Sequence, residues 1–213
     1  MKINRITHSV LISFSLIAVT MALSSCKIGS GPKPGSGGGS NGASGKACGP
    51  KALPSSALVE MGLSTANNAG QLAQSIVPAS ELNVLTVSLL LKKYGSLTQG
   101  AILTLETDDA GSPSGTVVAS AATSEVSPAT LSSGSASLVI FKFSSSITLS
   151  SGTRYWIRLR NLYATSGQNY FGWTGDANEI YTDGFAVQEV APSVFRPIGI
   201  GTGLDLSFSL TCQ

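Results

Sequence analysis

The chain has 213 residues and a formal net charge of +2, and only 11% of its residues are charged, against roughly 25% in an average soluble protein. With Lys2 and Arg5 set aside, 11 basic residues face 11 acidic ones, and from Cys48 onward 8 face 11, so no basic surplus remains to displace counterions from a nucleic acid. The only histidine is His8, inside a segment read below as removed, which excludes Ser-His-Asp and Cys-His catalysis and His-ligated zinc from the rest.

Residues 1–25 read as an address. Met1-Lys2-Ile3-Asn4-Arg5 is a basic head, and residues 10–23 form an apolar run broken only by Ser13, Ser15 and Thr20. Such a run is short for a bilayer span of about 20 residues but suits the core of a signal peptide. It ends in Leu23-Ser24-Ser25-Cys26, which resembles the bacterial lipobox. That resemblance implies that Cys26 becomes the first mature residue and carries acyl chains. Several chains together hold far more firmly than one myristoyl group. The implied location is the bacterial cell envelope, with the membrane as partner. Lys27 follows where an Asp is the usual inner-membrane retention signal of Gram-negative lipoproteins, so the resemblance favours the outer membrane.

A linker follows, so that residues 26–47 comprise the lipidated cysteine and a tether. Eight of the twenty residues 28–47 are glycine and none is aromatic. Such a segment buries too little apolar surface to offset the entropy of ordering, and its r.m.s. span is about 25 Å. A phosphate-binding glycine loop is the rival reading, but no strand precedes the run and no helix follows it.

Residues 48–213 read as the folded domain. Cys48 and Cys212 stand at its two ends, and an oxidising compartment favours a disulfide between them. That bridge demands that the first and last strands be neighbours. Between the cysteines, apolar and polar residues alternate with a period of two, punctuated by Gly, Ser, Pro and Asp. Strands are predicted at 58–64, 73–77, 84–91, 101–107, 116–121, 137–143, 153–161, 170–173, 185–189 and 204–210. Nine or ten strands without an amphipathic helical stretch predict an all-β antiparallel sandwich or barrel.

Three stretches carry a further resemblance. They are Val84-Leu85-Thr86-Val87-Ser88-Leu89-Leu90-Leu91, then Thr107-Asp108-Asp109-Ala110-Gly111-Ser112-Pro113-Ser114-Gly115, then Ile147-Thr148-Leu149-Ser150-Ser151-Gly152-Thr153-Arg154-Tyr155-Trp156-Ile157. In this order they resemble the choice-of-anchor domains of bacterial surface proteins, over roughly residues 70–190. The resemblance implies a two-sheet jelly-roll sandwich like those of carbohydrate-binding modules, and it brings no catalytic residue with it.

The chemistry-bearing residues point to recognition rather than turnover. Tyr170, Phe171, Trp173, Asp176, Asn178, Glu179, Tyr181 and Asp183 crowd into one short stretch. Aromatic faces with carboxylates and amides on exposed loops or one sheet face form a sugar site; alternatively, Phe171 and Trp173 turn into the core and the acids belong to turns. The expected ligand residues are Tyr170, Trp173, Asp176 and Tyr181. Trp156 is second, because it shares a strand face with Arg154, Arg158 and Arg160 that is expected to face solvent. Asp108 and Asp109 are weak calcium candidates that Asx-turn chemistry explains as well, so no cofactor is assigned. Asp205-Leu206-Ser207-Phe208-Ser209 matches a D-x-S-x-S metal string, yet strand alternation alone accounts for it. The expected function is therefore a non-catalytic binding or adhesion module for a glycan or another surface ligand. The alternative is a structural protein–protein interaction subunit of an envelope or appendage assembly. A two-carboxylate hydrolase would have to draw on Glu106, Asp176 or Glu179.

Overall fold

The computed structural model describes residues 45–53, 58–63, 70–161, 168–198 and 203–213, all within the unit Gly42–Gln213. Cys26, the leader and most of the tether lie outside the described residues. Among the described residues fourteen strands are formed: β1 (Lys46–Ala52), β2 (Leu58–Leu63), β3 (Gln71–Ile76), β4 (Leu82–Tyr94), β5 (Ala101–Asp109), β6 (Ser112–Val117), β7 (Thr123–Val126), β8 (Ser137–Leu149), β9 (Tyr155–Asn161), β10 (Tyr170–Asp176), β11 (Ala186–Ala191), β12 (Val194–Pro197), β13 (Asp205–Leu206) and β14 (Phe208–Cys212). A 3₁₀ turn, Pro128–Thr130, lies between β7 and β8.

The strands form two seven-stranded antiparallel sheets. Sheet I runs β1-β14-β4-β10-β13, with β2 also on β10 and β8 also on β4; sheet II runs β12-β11-β3-β9-β5-β6, with β7 also on β5. The alternation read from the sequence decides which side of each strand points between the sheets. Val87, Leu89 and Leu91 of β4, Leu103 and Leu105 of β5, Phe141 of β8, Ile157 and Leu159 of β9 and Phe208 and Leu210 of β14 share one buried core. The architecture is the expected all-β two-sheet sandwich, with more strands than the expected nine or ten. The additional strands are β1, β7 and β12, together with a break at Ser207 that divides the last predicted strand. Lys-Ala-Cys-Gly-Pro-Lys-Ala in β1 has no alternation to detect. Its strand conformation comes from its partner β14, not from local preference.

β1 lies against β14, and Cys48 is disulfide-bonded to Cys212 with a Cα–Cα distance of 5.8 Å. The first and last strands are thus neighbours, as the pairing requires. The Asp-rich turn is a two-residue hairpin: Asp109 faces Ser112, while Ala110 and Gly111 both take positive φ, 49° and 85°. Positive φ at both central residues matches the right-handed twist of the flanking strands.

Sheet I divides at Ser207. β10 and β14 both pair with β4, β10 over Leu91–Tyr94 and β14 over its first half. Beyond Trp173, β10 pairs instead with β13, Gly175 opposite Leu206 and Asp176 opposite Asp205. Ser207 ties all three together: its N–H donates to Thr174 O at 2.9 Å, its hydroxyl accepts from Leu90 N at 2.9 Å, and its carbonyl accepts from Trp173 Nε1 at 2.8 Å.

Candidate functional site

The stretch expected to form a sugar site is largely built into the interior. Trp173 sits on β10 between β2 and β4, 0% exposed. Asp176 is buried and accepts from Asn178 N and Nδ2, both at 2.9 Å. Tyr181 is also buried. Its hydroxyl accepts from Val77 N at 2.8 Å and donates to Val77 O at 3.2 Å, and its ring meets Phe208 edge-on at 5.6 Å. Burial pushes the Tyr181 phenol above its ordinary pKa.

The solvent-facing stripe expected around Trp156 is not what the chain builds. Trp156 is 0% exposed. β9 is a central strand between β3 and β5, and its second face is covered as well. Ala73, Val187, Phe185 and Phe195 close over Trp156 in a small separate cluster, with Phe185 edge-on at 5.3 Å. Trp156 Nε1 donates to Asp108 Oδ1 at 2.7 Å. The arginines stack on phenylalanines instead of the tryptophan: Arg154 lies 5.4 Å from the Phe185 ring and Arg158 5.2 Å from Phe195. Arg158 also forms a buried ion pair with Glu106 at 3.0 Å, and Glu106 accepts from Thr104 Oγ1 and Gly115 N. Glu106 is thereby committed to structure. Asp108 is committed likewise, because its second oxygen accepts from Gly111 N at 3.2 Å. Asp109 is exposed beside it. Among the described residues no group of three or more His, Cys, Asp or Glu gathers that would hold a metal ion.

A second buried polar centre surrounds Asp205. Its carboxylate accepts from Tyr181 N at 2.7 Å and Gln74 Nε2 at 3.2 Å, while Gln74 Oε1 accepts from Leu206 N. Asp176 stands directly opposite on β10, so the two acids share a face. Burial raises the Asp205 pKa above its usual value; hydrogen bonds from Tyr181, Ile180 and Gln74 oppose the rise and Glu179 adds to it. A carboxyl with a raised folded-state pKa binds its proton more tightly in the folded chain. Its contribution is therefore greatest below the unfolded pKa and is lost as pH climbs through the raised value. The wild-type protein should lose stability relative to Asp205→Asn over that rise. Urea unfolding of both proteins across the acidic range measures this, and a difference independent of pH would refute it.

On the outer face of sheet I, half-buried Lys92, Tyr94 and Tyr170 gather beside exposed Glu60. Register places Tyr94 of β4 directly opposite Tyr170 of β10. Their rings stack with centroids 4.5 Å apart and planes 16° apart. Lys92 Nζ lies 4.5 Å from the Tyr94 centroid. A hydrogen bond with Tyr94 raises the Lys92 pKa, and a hydrogen bond to Glu60 of β2 raises that of Tyr94. Two glycines make room for the cluster. A Cβ on Gly62 would meet the Tyr170 ring at 2.8 Å, and one on Gly172 would collide with the Glu60 carboxylate. Glycine inside a strand marks such a close approach. The site therefore joins two aromatic rings, two phenol hydroxyls, an ammonium and a carboxylate on one surface. No known protein-family model and no curated protein matches the chain.

Of the expected ligand residues, only Tyr170 takes part in this cluster. Tyr94, Lys92 and Glu60 were not anticipated. The available signal was the end of the β4 run, where Leu90, Lys92 and Tyr94 alternate against Val87, Leu89 and Leu91 and so must face away from the core.

Proposed function

We propose that this chain is a non-catalytic recognition module of the bacterial cell envelope, lipid-anchored through Cys26 at the outer membrane, that binds a glycan. The choice-of-anchor and jelly-roll resemblance belongs to the same proposal. The observation that carries it is the Tyr94–Tyr170 pair with Lys92 and Glu60 on an outer sheet face. A sugar presents C–H edges to aromatic rings and hydroxyl pairs to mixed donors and acceptors, and this cluster supplies both. The cluster offers a single carboxylate and no histidine or cysteine, too few ligands for a cation, so binding on a glycan array should survive EDTA. Tyr170→Ala should weaken binding at least tenfold, which is about 1.4 kcal/mol. The stacked pair itself is worth about 0.5–1.5 kcal/mol, so the thermal midpoint should fall by only about 2–6 °C. Undiminished binding by the Tyr94→Ala, Tyr170→Ala double variant would overturn the assignment. The alternative, an interaction subunit of an envelope or appendage assembly, rests on a different surface: Leu138 and Ile140 of β8, which are 55% and 58% exposed.

A further inference from the structure

The ladder between β1 and β14 carries a fault. Cys48 stands opposite Leu210 and Ala52 opposite Phe208, so Gly49, Pro50 and Lys51 of β1 share the interval that Ser209 alone fills on β14. The residues themselves account for it. Gly49 takes φ 61°, and a Cβ there would collide with Leu82, while Pro50 has no N–H to give to a ladder. The surplus residues force the edge strand to bow away from its partner. The bow leaves a cavity of about 210 Å³, open to solvent, lined by Ala47, Cys48, Gly49 and Lys51 from β1 and by Ser209 and Leu210 from β14. At about 30 Å³ per water, it has room for a small thiol such as thioglycolate or 2-mercaptoethanol.

The two sulfurs of the terminal disulfide are therefore not equivalent. Cys48 is half-buried and forms part of the cavity wall. Cys212 is 7% exposed, lies on a strand paired by β1 on one side and β4 on the other, and takes no part in the wall. Thiol–disulfide exchange depends on which sulfur the attacking thiolate can reach, so an entering thiolate meets Cys48 first. Lys51, exposed at the same cavity, adds a positive charge that draws an anionic thiol toward that sulfur.

We propose that Cys48 is a thiolation site, at which a low-molecular-weight thiol exchanges into the bridge of the folded protein. This inference stands apart from the glycan reading. The thiolate forms a bond to Cys48 Sγ while the bond between the two cysteines breaks. The electron pair leaves on Cys212 Sγ, which takes up the proton that the entering thiol gave up. One S–S bond replaces another, so no oxidant or reductant is consumed. Cys212 stays on β14, held by β4, as the resolving thiol: once free thiol is removed, it displaces the adduct and restores the bridge. In the thiolated form no covalent tie holds β1 to β14, and its attachment rests on the short ladder at either side of the fault.

The test treats the oxidised full chain with thioglycolate in the absence of denaturant, traps free thiols with N-ethylmaleimide and locates both groups by peptide mass spectrometry. In the first, singly thiolated product the adduct should sit on Cys48 and the maleimide on Cys212, in about tenfold or greater excess over the reverse arrangement. Its rate of formation should stay flat in urea below the unfolding transition, as local access requires. At low ionic strength Lys51→Glu should slow anionic thioglycolate relative to neutral 2-mercaptoethanol by about threefold. Gel filtration of the thiolated protein away from free thiol should restore the bridge. No adduct in the folded protein, an adduct mainly on Cys212, or one that persists after gel filtration would each overturn the proposal. So would a rate that climbs with the unfolded fraction, or a ratio of the two thiols that Lys51→Glu leaves unchanged.

Discussion

Replacing Trp173 with alanine is expected to lower stability by about 3–5 kcal/mol, a fall of about 10–15 °C in thermal midpoint for a domain of this size. Two losses combine. The side chain is fully enclosed, so truncation leaves a cavity that neighbouring strands close only in part. The indole N–H also satisfies the carbonyl of Ser207, at the point where β4, β10 and the β13–β14 segment meet. Removing the donor leaves that buried carbonyl unpaired, a cost separate from lost packing. Trp173→Phe keeps most of the apolar volume but not the donor, and should fall between the wild type and Trp173→Ala. Binding per folded molecule should be unchanged in both, because the Tyr94–Tyr170 cluster lies on the other face of the sheet. A midpoint within a degree or two of wild type in Trp173→Ala would contradict the enclosed placement.

The contrast between Trp173 and Tyr170 shows what alternation reveals and what it withholds. A period of two states which residues share a face, and in β4, β5, β8 and β14 that sufficed, because one face is plainly apolar. In β9 and β10 both faces are covered. Tyr155–Leu159 and Phe171–Asp176 are buried without interruption, so Trp156 and Trp173 are interior although they occupy opposite kinds of neighbourhood in the sequence. Whether a polar face is roofed depends on distant chain: Phe185 and Phe195 over Trp156, and β2 and β13 beside β10. The tyrosine cluster was illegible for a related reason, since only strand register brings Tyr94 to Tyr170. Turn chemistry and cysteine count are local or global enough to read directly, which is why an Asx turn at Asp108–Asp109 and the terminal disulfide were anticipated.

Breaking the Cys48–Cys212 bridge is expected to have the largest effect of any change at the ends of the chain. The two cysteines are 164 positions apart, and the chain-entropy model gives about 5 kcal/mol for closing a loop of that size. Nearly the whole folded unit lies inside the loop, so the unfolded state of the bridged protein is confined throughout. The folded state also depends on the bridge locally. Among the described residues β1 is an edge strand that pairs only with β14, through Lys46–Cys48 and Ala52, with a register shift between. Gly49 at φ 61° and Pro50 occupy the gap and add little ladder of their own. Released from Cys212, β1 should detach before the rest unfolds, exposing Ala52 and the outer edge of β14. Two separable signals follow for the Cys48→Ala, Cys212→Ala variant. Its urea midpoint should fall well below that of the oxidised protein and no longer respond to reductant, and amide exchange at residues 46–52 should rise under conditions where β4 and β5 remain protected. A stability loss below about 1 kcal/mol would mean that the bridge strains the native ends about as much as it restrains the unfolded chain.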